Sequence, residues 1–112
     1  MIDFNRYDLT KAEDCIQFLV DSDEEVAKAE AWVNSSKFLL DSYEADEYLR
    51  CESGTAEDRK RLAKVSIREL GKHKDYENAL TYYKTIRAKR ETASLQIEIW
   101  RTKTSARKAG IL

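Results

Sequence analysis

Apolar residues recur at steps of three and four along most of the chain, which is the period of an amphipathic α-helix. Two stretches follow this period over many turns, and charged or polar residues fill the positions between the apolar ones. The pattern therefore predicts an all-α fold with long helices. The apolar stripe of the first stretch consists of Val26, Ala29, Trp32, Val33, Ser36, Leu39, Leu40 and Tyr43. That of the second consists of Tyr76, Leu80, Tyr83, Ile86, Ala93, Ile97 and Trp100.

Capping signals predict where these helices begin. A Ser or Thr followed three residues later by an acidic residue forms a capping box at a helix N-terminus. Three such pairs occur, Thr10 with Glu13, Ser22 with Glu25, and Thr55 with Asp58. We therefore expect one domain over residues 1–112, an elongated antiparallel hairpin or bundle. Its predicted elements are a short helix over 10–20, a long helix over 23–52, and helical sequence over 56–108 with a break or kink near Gly71.

One short segment carries a competing signal. Leu95, Ile97 and Ile99 alternate with Gln96 and Glu98, which is a strand pattern. The segment lies in a long helical frame without turn residues, so a helix is the better prediction. Composition agrees, because a chain of 112 residues with 3 Gly and no Pro lacks the turns that a β-sandwich or barrel requires.

Charge is divided unevenly between the two halves of the chain. Residues 1–53 hold 14 acidic and 5 basic side chains, a balance of −9, whereas residues 54–112 hold 7 acidic and 15 basic ones, a balance of +8. Acidic helices packed against basic ones would explain this division. The alternative is a basic face that remains available to nucleic acid or to an acidic protein.

Arg90 stands out because the helical period places it inside the apolar stripe, between Ile86 and Ala93. A guanidinium at such a position needs a carboxylate, an aromatic ring or an open edge of the core. The acidic half of the chain is the natural source of a partner. We therefore predict a structural ion pair between Arg90 and an acidic residue from 21–52.

The C-terminal segment offers the best candidate for nucleic-acid binding. Basic residues recur there near three- and four-residue steps, and Tyr82, Tyr83 and Trp100 lie among them. Cations along one helix face can contact phosphates, and aromatic rings can stack on exposed bases. Tyr83 and Trp100 also lie at core spacing, where an aromatic residue is more often a packing residue than a platform for a base. The predicted nucleic-acid-binding residues are Lys84, Arg87, Arg101, Lys103, Arg107 and Lys108.

Catalytic chemistry has little support in the sequence. His73 is the only histidine, Cys15 and Cys51 are far apart, and the three glycines are isolated. No metal-ligand spacing, nucleophile pair or phosphate loop follows from these residues. We expect a protein that is not an enzyme and that uses no cofactor or metal. Two cysteines and the lack of a long apolar run favour a reducing cytoplasm and no membrane contact.

The predicted helices can build only a thin core, because a small domain buries a low fraction of its surface. Two tryptophans and six tyrosines are then difficult to cover within one chain. We expect a homo-oligomer, most simply a dimer. Its predicted interface consists of Trp32, Leu39, Leu40, Tyr83, Ile97 and Trp100.

The segment over residues 79–110 resembles the C-terminal part of small helical proteins encoded by tailed phages and prophages. The residues that carry the resemblance are Arg90, Ala93, Ile97, Glu98, Ile99, Trp100, Arg101, Arg107 and Gly110. The resemblance covers about a quarter of the chain. It implies a phage early-region protein in the cytoplasm of a bacterial host cell, often encoded near recombination or replication functions, and it brings no residue role.

Two functions remain open at this point. The first is a non-enzymatic accessory factor of phage DNA transactions, which contacts DNA or a DNA-processing protein through the basic C-terminal helix. The second is a protein-binding module that inhibits or modulates a host enzyme or defence system. Such a module would use the acidic 21–52 helix or the aromatic stripe.

Overall fold

The structure, a computed structural model, describes residues 1–110. It contains three α-helices, α1 (Ala12–Arg50), α2 (Ala56–Glu69) and α3 (Lys74–Lys108), after a 3₁₀ turn at Phe4–Arg6. The part of the chain that is described has no strand. The prediction of an all-α fold is confirmed, and the alternating segment 95–99 lies inside α3.

The chain divides into two compact units rather than the single domain that the sequence suggested. Unit 1 combines residues 1–28 with the chain from residue 83 onwards, and unit 2 comprises residues 29–82. In unit 1, Gln96 donates to the carbonyl of Thr10. In unit 2, the Ser36 hydroxyl donates to the Asp75 carboxylate over 3.0 Å.

In each unit, α1 packs against α3 in an antiparallel arrangement through side chains spaced by seven residues, most of them small. On α1 the buried positions are Cys15 and Ser22 in unit 1 and Ala29 and Ser36 in unit 2, each at most 4% exposed. On α3 they are Ala79 in unit 2 and Ile86 and Ala93 in unit 1, all 0% exposed. A seven-residue repeat is the spacing of a coiled-coil seam, and small residues in the seam allow close approach of the helix backbones.

α1 is a single helix of 39 residues, so the predicted separation into helices over 10–20 and 23–52 is wrong. Ser22 does not cap a helix, because it lies inside α1. Its side chain is buried and accepts a hydrogen bond from Arg90. Thr10 does not cap α1 either. The carbonyl of Lys11 accepts the first helical hydrogen bond, from Cys15, and the Thr10 hydroxyl donates to Asp8.

The third predicted capping box and the predicted break are both present. Thr55 accepts from the backbone of Asp58, and the Asp58 carboxylate accepts from the backbone of Thr55. α2 then ends in a Schellman motif. Lys72 N donates to the carbonyl of Ile67, and Gly71 N donates to that of Arg68. Gly71 has φ +70, a left-handed conformation that only glycine adopts without strain.

The N-terminal segment completes the core of unit 1. The ring of Phe18 is buried, and the rings of Phe4 and Tyr7 lie 6.2 Å and 5.1 Å from it. The Tyr7 hydroxyl also donates to the Asp21 carboxylate over 2.6 Å. This hydrogen bond, followed by one from Gln17, lowers the pKa of Asp21, so the contact is retained until the solution becomes strongly acidic.

Arg90 crosses from α3 to α1 inside unit 1. Its Nη1 donates to the carbonyl of Leu19 over 2.9 Å and to the Ser22 hydroxyl over 2.6 Å. Its Nη2 lies 3.5 Å from a carboxylate oxygen of Asp23, but the Asp23 side chain is 81% exposed. The acidic partner expected for Arg90 is thus peripheral, and the short hydrogen bonds are made to neutral groups.

We expect Gly71→Ala to lower the free energy of unfolding by about 1–2 kcal/mol, because an added Cβ disfavours positive φ. Steric contact is not the cause, since the nearest side-chain atom, on Lys74, would lie 3.6 Å from that Cβ. Gly71→Asn should cost less than Gly71→Ala, because asparagine tolerates this conformation better. Urea unfolding of both variants measures the difference, and an equal loss for both would contradict the conformational explanation.

We expect Arg90→Ala to lower the free energy of unfolding by about 1–3 kcal/mol, because the buried Ser22 hydroxyl and Leu19 carbonyl lose a charged donor. Asp23→Asn is the matched control and should change it by less than about 0.5 kcal/mol, because exposed ion pairs contribute little. Urea unfolding measures both variants. A loss for Asp23→Asn as large as that for Arg90→Ala would mean that the ion pair is the main interaction.

Candidate interaction sites

Unit 2 contains an open groove between the C-terminal third of α1 and α2. Its volume is about 510 Å³. Apolar atoms of Ala45, Tyr48 and Leu49 from α1 face Ala63 from α2 across it. The three α1 positions recur at helical spacing, so they lie on one face of α1, and Ala63 faces them from α2. The groove therefore offers an apolar floor of the kind that receives another helix.

Charged side chains border this groove with opposite signs on its two sides. Asp41 and Glu44 line it from α1, and Lys60 and Lys64 line it from α2. Leu49 is 77% exposed, so its side chain is available to a partner. An apolar floor between an acidic and a basic border favours one orientation of a bound helix over the reverse.

A second cavity of about 350 Å³ lies in the same unit, and His73 is one of the residues that line it. The His73 side chain is only 19% exposed. Its Nε2 lies 3.9 Å from a carboxylate oxygen of Glu77, whereas its buried Nδ1 has no hydrogen-bond partner. Over residues 1–110, no group of three or more His, Cys, Asp or Glu side chains is placed to bind a metal ion.

The six predicted nucleic-acid-binding residues are all exposed on α3, but they do not form one strip. At 3.6 residues per turn, Lys84, Arg87, Arg101 and Lys108 lie on one side of the buried stripe of α3. Lys103 and Arg107 lie on its other side. The basic residues therefore flank the buried stripe from both directions near the end of the helix.

Several of these cations also have a structural explanation. Arg101 forms an ion pair with Glu98 over 3.3 Å, and the Arg87 guanidinium lies 5.4 Å from the centre of the Tyr83 ring. Arg107 and Lys108 occupy the last turn of α3, where cations interact favourably with the helix dipole. The helix dipole is therefore a structural reason for cations at these two positions.

The predicted oligomer interface is mostly occupied within the units. Trp32 packs against Tyr82 with ring centres 6.3 Å apart. Trp32, Leu40, Tyr83 and Ile97 are half-buried, whereas Leu39 and Trp100 are 49% and 51% exposed. Several apolar side chains outside this set are more exposed, among them Leu49, Phe38 and Val20 at 77%, 70% and 67%.

The two cysteines are free thiols in different surroundings. Cys15 is buried and its thiol donates to the carbonyl of Leu9 over 3.3 Å. Burial raises the pKa of the Cys15 thiol, and the Asp14 and Asp8 carboxylates raise it further. Cys15 is therefore a packing residue rather than a reactive nucleophile. Within residues 1–110, no helix has both the length and the apolar composition needed to cross a membrane.

Protein-family models, curated proteins and solved structures give no match to the chain. The resemblance of residues 79–110 to phage proteins therefore stays a prediction. The groove between α1 and α2 is the structural feature that best supports a functional proposal.

Proposed function

We propose that the chain is a non-enzymatic protein-binding module that receives an amphipathic helix of a partner protein in the groove between α1 and α2. The observation that carries this proposal is the apolar floor of the groove between borders of opposite charge. Ala45 and Ala63 leave room above the floor, while Leu49 and Tyr48 provide apolar surface. A helix with apolar residues at steps of three and four would fit this space.

The borders define the chemistry of the partner helix. Basic residues on the flank that faces Asp41 and Glu44 would complement α1, and acidic residues on the other flank would complement Lys60 and Lys64. Such pairs lie at the rim of an interface, where they favour the correct partner and orientation more than they add affinity. Burial of the apolar side chains would supply most of the binding energy.

The phage resemblance suggests a setting for this activity. A small phage early-region protein with an open groove would act on a host or phage protein, for example an enzyme of recombination, replication or defence. This assignment of the partner rests on the resemblance of residues 79–110 alone. The groove by itself specifies the shape and charge of a helix, and any protein that presents such a helix is a candidate.

We expect Leu49→Glu to abolish capture of the partner, because a carboxylate would replace an exposed apolar side chain at the groove. The matched control is Leu62→Glu, since Leu62 is 55% exposed on α2 and does not line the groove. Tagged wild-type and variant proteins would be produced in bacterial cells, and captured proteins would be quantified by mass spectrometry. Circular dichroism would verify the fold of each variant.

The supporting result is a protein that wild type and Leu62→Glu capture equally and that Leu49→Glu loses by at least about tenfold, or about 1.4 kcal/mol in binding free energy. Titration of that purified protein with the three forms would then confirm direct binding. If every captured protein is insensitive to Leu49→Glu, the groove is not the binding site and the proposal fails.

Nucleic-acid binding is a second candidate, and one observation favours it. Lys84, Lys103, Arg107 and Lys108 are exposed, and among the described residues none of them lies within an ion pair. Cations without acidic neighbours are available to phosphates. They would contact the backbone of a nucleic acid without reading its sequence, because phosphate contacts carry no direct sequence information.

We expect replacement of Arg101, Lys103, Arg107 and Lys108 by Gln to weaken DNA binding and to flatten its salt dependence, by up to about 0.9 unit of slope per lost phosphate contact on duplex DNA. The control replaces the same number of cations on α2, namely Lys60, Arg61, Lys64 and Arg68. Fluorescence anisotropy with single- and double-stranded DNA at several salt concentrations gives both quantities. Wild-type protein that binds neither form at low salt would remove this candidate.

A further inference from the structure

The buried stripe of α3 loses its cover towards the C-terminal end of the helix. Ala93 is 0% exposed, but Trp100, which follows it at the seven-residue spacing of the seam, is 51% exposed. Gln96 already reaches Thr10, two residues before the first residue of α1. Because the two helices are antiparallel, α1 has no turn left to cover the stripe one turn further along α3. Trp100 therefore exposes its ring on a face that serves for packing in the rest of α3.

The cations around Trp100 lie on both sides of its ring. Lys103 and Arg107 lie within about 60° of Trp100 around the helix axis on one side, and Lys108 lies about 80° from it on the other. All three are exposed, and within residues 1–110 none of them forms an ion pair. Their ammonium and guanidinium groups are therefore available to an anionic partner of the ring.

The carboxylates of this part of α3 lie on the far side of the helix. Glu91 and Glu98 are about 180° and 160° from Trp100 around the axis, and Glu98 forms an ion pair within α3 over 3.3 Å. In the chain that precedes α1, the Asp8 carboxylate is engaged as well, because it accepts from the backbone and the hydroxyl of Thr10. The face that carries Trp100 thus combines an aromatic ring with free cations, while these carboxylates are turned away or bound elsewhere.

An exposed indole ring beside free cations matches the chemistry of a single-stranded nucleic acid. An unpaired base can stack on the ring, and phosphates of the same strand can contact the cations. A duplex offers only its phosphates, because the faces of its bases are covered by their neighbours. An acidic polypeptide would also contact the cations, but the electron-rich face of an aromatic ring repels carboxylates.

We propose that Trp100 is a stacking platform for a base of single-stranded nucleic acid and that Lys103, Arg107 and Lys108 hold the adjacent phosphates. The proposal rests on the nucleic-acid-binding candidate described above, and it adds a contact with a base and a preference for single strands. Stacking accepts any base, so the preference concerns strandedness rather than sequence. These residues belong to unit 1, whereas the groove between α1 and α2 belongs to unit 2.

Tryptophan fluorescence tests the stacking contact directly, because the chain has only two tryptophans. In a Trp32→Phe protein the emission comes from Trp100 alone, and addition of an oligothymidylate should quench it. In a Trp100→Phe protein the emission of Trp32, which is half-buried against Tyr82, should not change. An abasic oligomer of the same length carries phosphates without bases and should leave the emission of Trp100 unchanged.

Affinity and salt dependence separate the ring from the cations. Trp100→Ala should weaken binding of the oligothymidylate by at least about fivefold, the loss of one stacked base, and should leave the slope of affinity against salt unchanged. Lys103→Gln combined with Arg107→Gln should instead flatten that slope. Wild type should bind the single strand more tightly than a duplex of the same length. Circular dichroism verifies folding, and Trp100→Gln replaces Trp100→Ala if the latter does not fold.

Binding of the oligothymidylate without a change in the emission of Trp100 overturns the proposal and leaves the nucleic-acid-binding candidate in place. A Trp100→Ala protein that binds as tightly as wild type has the same meaning. Polyglutamate that binds and quenches Trp100 as the oligothymidylate does would overturn the proposal in favour of an acidic protein. Wild type that binds neither single- nor double-stranded DNA at low salt removes the candidate and the proposal together.

Discussion

Close packing of α1 against α3 through small side chains is the constraint on which the other features depend. Cys15, Ser22, Ala29 and Ser36 recur every seven residues on α1, and each is almost completely buried. Side chains of this size allow helix backbones to approach closely, but they bury little apolar area per residue. Stability in each unit then depends on a few larger groups, such as Phe18 in unit 1 and Ile67 in unit 2.

Ser22 illustrates how this constraint determines polar contacts. A serine in a tightly packed seam needs a hydrogen-bond partner, because an unsatisfied buried hydroxyl is destabilising. Arg90 supplies that partner from α3 and also donates to the Leu19 carbonyl. The arginine side chain is long enough to reach across the helix pair, and the five N–H donors of its guanidinium can serve both the Ser22 hydroxyl and the Leu19 carbonyl. Ser36 satisfies the same need in unit 2 through Asp75.

The sequence predicts the fold class, the Thr55 cap and the break at Gly71, because each depends on neighbouring residues. Prediction failed at Ser22, where the same motif that caps α2 lies in the middle of α1. The deciding partner is Arg90, 68 residues away, and local spacing contains no information about it. The six predicted nucleic-acid-binding residues are a different case. Steps near three and four do not by themselves fix the angle of a residue around a helix, so these residues divide between two sides of α3.

The groove could not have been predicted from periodicity. It depends on where α2 lies against α1, and this follows from the turn after Arg50 and from the packing of Ala63 and Ile67, both buried. Periodicity does show which face of α2 is apolar, but not which part of α1 receives it. Leu49 lines the groove and keeps 77% of its area exposed, which local spacing does not reveal either.

The alternation of Leu95, Ile97 and Ile99, which is typical of a strand, has a helical explanation in this chain. Leu95 and Ile99 lie on the exposed face of α3, while Ile97 belongs to the stripe that packs inside unit 1 and is half-buried there. A helix with two apolar faces places apolar residues at alternate positions wherever the two stripes come into register. Only one of those faces is needed to fold unit 1. The other is exposed, with Leu95 and Ile99 at 59% and 48%, so the alternation reflects one buried and one exposed face of a helix and not the pairing of a strand.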